Sequence, residues 1–206
     1  VLFEESIKKY VGCKEAIAVN SATSALHIAC IALGLGPGDW MWTTPITFVA
    51  SANCAVYCGS KVDFVDIDEK TGLIDCDKLL KKLKKARENN NLPKVIIAVH
   101  LTGSSCDMKR LYELSLEYGF KIIEDASHAI GGRYKDTMVG SCVYSDITVF
   151  SFHPVKIITT GEGGMAMTND TQLARKLRLA RSHGIVRPAK DSEKKEKGEW
   201  FYEQIE

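Results

Sequence analysis

The chain has 206 residues, 45% of them apolar, and its 27 basic and 26 acidic side chains leave a net charge of +1. This is the composition of a folded globular protein with one substantial core or two small ones, and its charge balance gives no general attraction to nucleic acid or to an anionic membrane. No stretch approaches the roughly 20 apolar residues of a membrane span, and the opening "VLFEESIKKY" lacks the basic and apolar regions of a secretory signal, so the expected compartment is cytoplasmic.

Short apolar runs alternate with segments of helical period. "EAIAV" at 15–19 predicts a strand, and "SATSALHIACIALGL" at 21–35, apolar at 22, 25, 26, 29 and 33, predicts a helix that ends in the turn "GPGD". "WMWTTP" and "TFVASANCAVYCG" repeat strand and helix, and "KVDFVDID" at 61–68 gives a third strand. A lysine-rich amphipathic helix follows at about 75–89, then the loop "NNNLP" and the continuous apolar run "KVIIAVH" at 94–100, of the kind found in strands buried on both faces. "DMKRLYELSLEYG" predicts a helix, "FKIIEDASHA" a strand, "SDITVFSF" and "GMAMTND" two closely spaced strands, and "TQLARKLRLARSHG" a long helix ending at Gly184. This order predicts an α/β fold: a mostly parallel seven-stranded sheet with helices on both faces. From 185 onward "VRPAKDSEKKEKGE" predicts a charged surface loop. The seven cysteines form no CxxC pair and no zinc-spaced cluster, so they are expected as reduced thiols, most of them in the core, with no metal site.

In such sheets ligands bind beyond the carboxyl ends of the strands. Polar groups stand at these ends: Asn20 to Ser24, His100, Asp125 with His128, and Ser151 with Lys156, and they are expected to converge on one edge. Ala22, Thr23 and Ser24 open a helix, where free backbone N–H groups and the macrodipole favour a phosphate; an ordinary N-cap would use the same residues. Asp125, just past an apolar strand, needs a partner, either a cation such as the protonated ring nitrogen of a cofactor, or backbone amides or an arginine. His128, taken singly, reads as a hydrogen-bonded structural histidine. Lys156 follows Ser151 and precedes the run "TTGEGG", a setting that suits an amine desolvated for Schiff-base formation and proton transfer; the alternative is a lysine snorkelling from a strand end. Phosphate cup, buried aspartate, serine and lysine together describe a pyridoxal 5'-phosphate site.

Five stretches, "FEESIKKYVGCKEAIAVNSATSALHIA", "GPGDWMWTTPITFVASAN", "VHLTGSSCDM", "IIEDASHAIGGRY" and "FSFHPVKIITTGEGGMAMTND", make the chain resemble the DegT/StrS sugar-nucleotide aminotransferases, within the fold type I enzymes related to aspartate aminotransferase. The resemblance implies that Lys156 and Asp125 are catalytic, as Schiff-base lysine and partner of the pyridine nitrogen. It implies that Ala22, Thr23, Ser24 and Ser151 hold the phosphate and that Phe48 stacks on the ring. His128, where the family often has glutamine, would hydrogen-bond the cofactor's phenolic oxygen. "HLTG" departs from the family in having threonine where tyrosine is frequent, and "WMW" replaces the usual polar-apolar strand start.

The implied reaction moves an amino group from glutamate to a UDP-linked 4-keto-6-deoxy-N-acetylhexosamine, for surface polysaccharide or glycan synthesis, in a homodimer. Residues 1–184 would be the larger, cofactor-binding domain without its N-terminal arm, and 185–206 the start of a connection to a smaller C-terminal domain. The rivals are a sugar 3-dehydratase of the same family, which has histidine where Lys156 stands, and a non-catalytic regulator, binding module or inactive fragment. A nucleotide-binding α/β enzyme without pyridoxal phosphate is a third, against which the lack of a dinucleotide glycine fingerprint counts.

Overall fold

Side chains alternate along a strand, so a run apolar at every position must be covered on both sides, and this requirement builds the fold. The computed structural model describes residues 2–186 and the pair 203–204. In chain order the elements are α1 (Leu2–Val11), β1 (Glu15–Val19), α2 (Ala22–Ala32), β2 (Trp40–Thr43), α3 (Ala50–Tyr57), β3 (Lys61–Phe64), α4 (Cys76–Glu88), β4 (Val95–Val99), a 3-10 turn (Leu101–Gly103), α5 (Met108–Tyr118), β5 (Lys121–Asp125), β6 (Arg133–Tyr134), β7 (Thr137–Met138), β8 (Ile147–Ser151), β9 (Gly164–Thr168), α6 (Thr171–Arg181), β10 (Ile185–Val186) and β11 (Glu203–Gln204).

Seven strands form one sheet in the order β1-β9-β8-β5-β4-β2-β3. From β8 to β3 the pairs are parallel; β9 alone is reversed, antiparallel to both β8 and β1. Ile97, Val99, Ile123 and Val149 face the layer of α2, α3 and α6. Ile96, Ala98 and Ile122 face α4 and α5, and Phe150, Met165 and Met167 face α1 on the same side. Each fully buried Leu or Ile stabilises by roughly 1.5–3 kcal/mol, and a slip of one residue would turn every such side chain to the wrong face. The predicted seven-stranded, mostly parallel sheet with helices on both faces is the observed one.

Helix starts follow the sequence closely because their caps are local. Ser21 Oγ accepts the Ser24 N–H at α2, and aspartates 75, 107 and 170 accept first-turn amides at α4, α5 and α6. Two predicted elements are shorter than expected. β3 stops at Phe64 because Asp66 and Asp68 turn their carboxylates onto the amides of Ile67, Lys70 and Thr71, which withdraws these groups from a ladder. α6 stops at Arg181, and the Gly184 N–H closes back on Leu179 O at 2.8 Å. The charged segment predicted from 185 lies almost wholly outside the described residues. All seven cysteines are free, with Cys13, Cys30, Cys54, Cys106 and Cys142 buried.

Candidate active site

The carboxyl ends of β4, β5 and β8 and the start of α2 open into one cavity of about 360 Å³. Ala22, Thr23, Phe48, Asp125, His128, Ser151 and Lys156 all line it, so the sheet brings together residues up to 134 positions apart in the chain, from Ala22 to Lys156. Ser24 does not reach it. Its hydroxyl donates to Asn20 Oδ1 at 2.6 Å, its amide is taken by Ser21 Oγ, and it lines a separate hollow with Asn20, His27 and Arg181. The helical rotation from Thr23 to Ser24 carries the side chain round to another side, so Ser21 takes its place in the cavity wall.

The glycine run after Lys156 has a steric purpose. A Cβ on Gly164, the first residue of β9, would lie 2.3 Å from the Ser21 carbonyl carbon and 2.5 Å from the Ala22 nitrogen. Only glycine lets the strand and the α2 N-terminus approach so closely, and this contact sets the first-turn N–H groups beside Ser151 and Lys156. Lys156 itself ends a turn closed by its N–H on His153 O at 2.9 Å.

Asp125 is 5% exposed. Ser51 Oγ donates to its Oδ2 at 2.7 Å, while Ser127 donates both its hydroxyl, at 2.6 Å, and its amide, at 3.2 Å, to Oδ1. Among the described residues it makes no ion pair within 4.0 Å. The arginine alternative is therefore not what the fold supplies: a buried carboxylate held by neutral donors faces a cavity and keeps lone pairs for a cationic ligand. Burial depresses the His128 pKa, the charge of Lys156 depresses it further, and Asp125 opposes both, so the ring is held towards its neutral form.

Several lining residues carried no sequence signal as site groups: Thr47, Ser127, His153 and Glu162. His153 Nε2 and Glu162 Oε1 lie 3.6 Å apart at the rim beside Lys156. The words "SFHP" and "GEGG" put them near the lysine in sequence, but which way they face depends on the turn.

Measured by charge and shape, the cavity fits the pyridoxal phosphate expected from the sequence. The α2 start, whose cap takes up only the Ser24 amide, suits an anion, Asp125 suits a protonated ring nitrogen, Phe48 offers an apolar face, and Lys156 offers the amine.

A parallel sheet with one reversed strand, an aspartate and a lysine at its carboxyl edge, and a helix N-terminus between them define the large domain of a fold type I aminotransferase. The model of the DegT/DnrJ/EryC1/StrS aminotransferase family matches residues 1–200, and the chain belongs to that family. It is 46% identical over 185 residues to the UDP-4-amino-4,6-dideoxy-N-acetyl-beta-L-altrosamine transaminase of Campylobacter jejuni subsp. jejuni serotype O:23/36, covering 90% of this chain and 47% of that one. Helicobacter pylori PseC, an aminotransferase of pseudoaminic acid biosynthesis, superposes with a TM-score of 0.87 at 34% identity, over 100% of this chain and 51% of that structure. NtdA from Bacillus subtilis, solved with bound cofactor PMP, superposes at 0.80 with 32% identity, over 89% and 40% of the two chains. The chain thus spans about half the length of the relatives it matches.

Proposed function

We propose that this chain carries the cofactor-binding half-site of a pyridoxal-phosphate-dependent sugar-nucleotide aminotransferase, with glutamate as amino donor and a UDP-linked 4-keto-6-deoxy-N-acetylhexosamine as acceptor. One observation carries the reading: Asp125, buried and held only by neutral donors, faces the same cavity as Lys156 and the α2 N-terminus. The similarity to the altrosamine transaminase and to PseC supports the acceptor class.

Pyridoxal phosphate, when bound, supplies a carbonyl that accepts the amino group and a ring that withdraws electrons from the donor's α carbon. The chain does the rest. Asp125 would accept a hydrogen bond from the ring nitrogen and hold its proton in place. The first-turn amides of α2, with Thr23 and Ser151, would hold the phosphate, and Phe48 would cover the ring. The amine of Lys156 would take the α proton from the donor and hand it back at the cofactor's reacting carbon on the same face. His128, kept neutral, serves as hydrogen-bond partner to the phenolic oxygen.

The reading includes a homodimer. Phe48 is 70% exposed and Val155 78% exposed, and with Ile46, Val49, Ile157 and Ile158 they leave an apolar rim that a second copy would cover. A cytoplasmic location accords with seven free thiols. Residues 1–184 then form one cofactor-binding unit.

The test is an absorbance spectrum of the protein with pyridoxal phosphate, beside Lys156→Ala, before and after glutamate. A Lys156-dependent band that glutamate converts to the amino form of the cofactor is the expected result. No band in either protein would overturn the reading.

A further inference from the structure

The loop that carries Phe48 and the carboxylate of Asp125 are joined through one buried side chain. Ser51, fully buried in the first turn of α3, donates its hydroxyl to Asp125 Oδ2 at 2.7 Å and its amide to Phe48 O at 3.1 Å. Its oxygen also lies 2.8 Å from Thr47 Oγ1, and Thr47 lines the cavity. An ionised carboxylate only accepts, so the Ser51 proton is committed to Asp125 and the proton of the second contact must come from Thr47. The hydroxyls therefore point one way, from Thr47 to Ser51 to Asp125, each donor strengthening the next. α3 has no side-chain N-cap of its own, and this chain of hydroxyls links its start to the sheet beside the core packing of Ala50 and Cys54.

We propose that Ser51 is a positioning residue for Asp125, and that Thr47 fixes its direction, so that Phe48 and Asp125 keep a set separation across the cavity. Without Ser51, Oδ2 loses its donor in a dry place and the carboxylate turns to find another. Ser127 holds only Oδ1, so it cannot replace that aim. This inference rests on the cofactor reading above for its consequence, though not for its geometry. The direction of the hydroxyl chain has a second consequence: Thr47 presents lone pairs to the cavity, so the ligand atom it meets is a hydrogen-bond donor.

The experiment measures pyridoxal phosphate dissociation constants by absorbance for the parent, Ser51→Ala, Thr47→Val and Thr47→Ser. It adds thermal melts and a crystal structure of cofactor-free Ser51→Ala. Loss of one hydrogen bond to a charged group predicts about tenfold weaker binding for Ser51→Ala. Thr47→Val should weaken it about threefold, as for a bond one step removed, while Thr47→Ser, which keeps the hydroxyl, should match the parent. If Ser51→Ala fails to fold, the two Thr47 variants carry the comparison, because valine keeps the shape without the hydroxyl and serine keeps the hydroxyl without the methyl. If the parent forms no Lys156-dependent band, the cofactor reading fails, and the structure of Ser51→Ala decides this inference by itself: a rotated Asp125 carboxylate supports it. Unchanged affinity in both Ser51→Ala and Thr47→Val, or an Asp125 unmoved in the crystal, would overturn it.

Discussion

His100 Nε2 lies 2.7 Å from Glu124 Oε2, with the histidine side chain fully buried and the glutamate 7% exposed. The Cys106 amide donates to Nδ1 at 3.2 Å, and Ser145 and Thr148 donate to Glu124 Oε1 at 2.5 and 2.8 Å. Burial opposes a charge on the ring, while Glu124 favours a proton on the nitrogen that faces it. A second proton could enter only at Nδ1, which the Cys106 amide occupies, so the geometry holds the ring as the neutral Nε2–H tautomer on a carboxylate. The backbone amide of His100 also donates to Asp125 O at 3.0 Å, so this pair braces the strand end that carries the site.

A pH dependence follows from Glu124. Burial raises its pKa, but His100, Ser145 and Thr148 together hold it below the ordinary 4.5. A lowered folded pKa means stability that is complete above the unfolded value and lost as pH falls through the folded one. His128 acts in the same sense below its ordinary 6.5, since its folded pKa is also depressed. Glu124→Gln should cost about 3 kcal/mol at pH 7 by leaving buried donors mismatched. It should also flatten the acid limb of stability against pH in urea melts, and an unchanged slope below pH 4.5 would count against this account.

Gly164→Ala should be among the most damaging single methyl additions, because the atoms it meets are the backbone of Ser21 and Ala22 at 2.3–2.5 Å. Overpacking of this kind costs about 1–3 kcal/mol or more. The α2 N-terminus must move away from β9, so cofactor affinity should fall with the melting temperature. A variant as stable as the parent, with equal affinity, would show that the approach is not needed.

Ser21 and Ser24 should separate in effect. Ser21→Ala removes the α2 cap and should cost about 1 kcal/mol, whereas Ser24→Ala removes a partly solvated bond to Asn20 and should cost under about 0.5 kcal/mol. Ser24→Ala should leave pyridoxal phosphate affinity unchanged and Thr23→Ala should lower it. Titration of both variants with the cofactor checks the assignment made from the fold over the one made from the sequence.

Thiol labelling should distinguish the two cysteines that are only half-buried, Cys58 and Cys76. The Cys30 thiol hydrogen-bonds Cys58 and lowers its pKa despite burial, while burial and the nearby Asp107 push Cys76 up to about 12. The thiolate is the reactive form, so Cys58 should react first with a disulfide reagent at pH 8. Mass spectrometry of singly labelled protein reads the order, and faster labelling of Cys76 would contradict it.

The alternation of apolar runs and helical periods determined the seven strands, their mostly parallel order and the edge where polar residues gather, because these depend on periods of two and 3.6 within short windows. Asp125 and Ser151 were legible for the same reason, since each closes an apolar run and stands at a strand end, and Lys156 was legible as the one lysine between that end and the glycine run. The β6–β7 hairpin and the reversal of β9 were not legible, since each is set by what it packs against more than by its own pattern. Tertiary structure alone decided that Ser24 turns away while Ser21 and Thr23 face in, because the cap is extended and one further residue of helical rotation carries Ser24 round to the other hollow. It also decided that Ser51, 74 positions before Asp125 in the chain, holds that carboxylate, a pairing set by the sheet bringing α3 over β5 and by no local rule in the sequence.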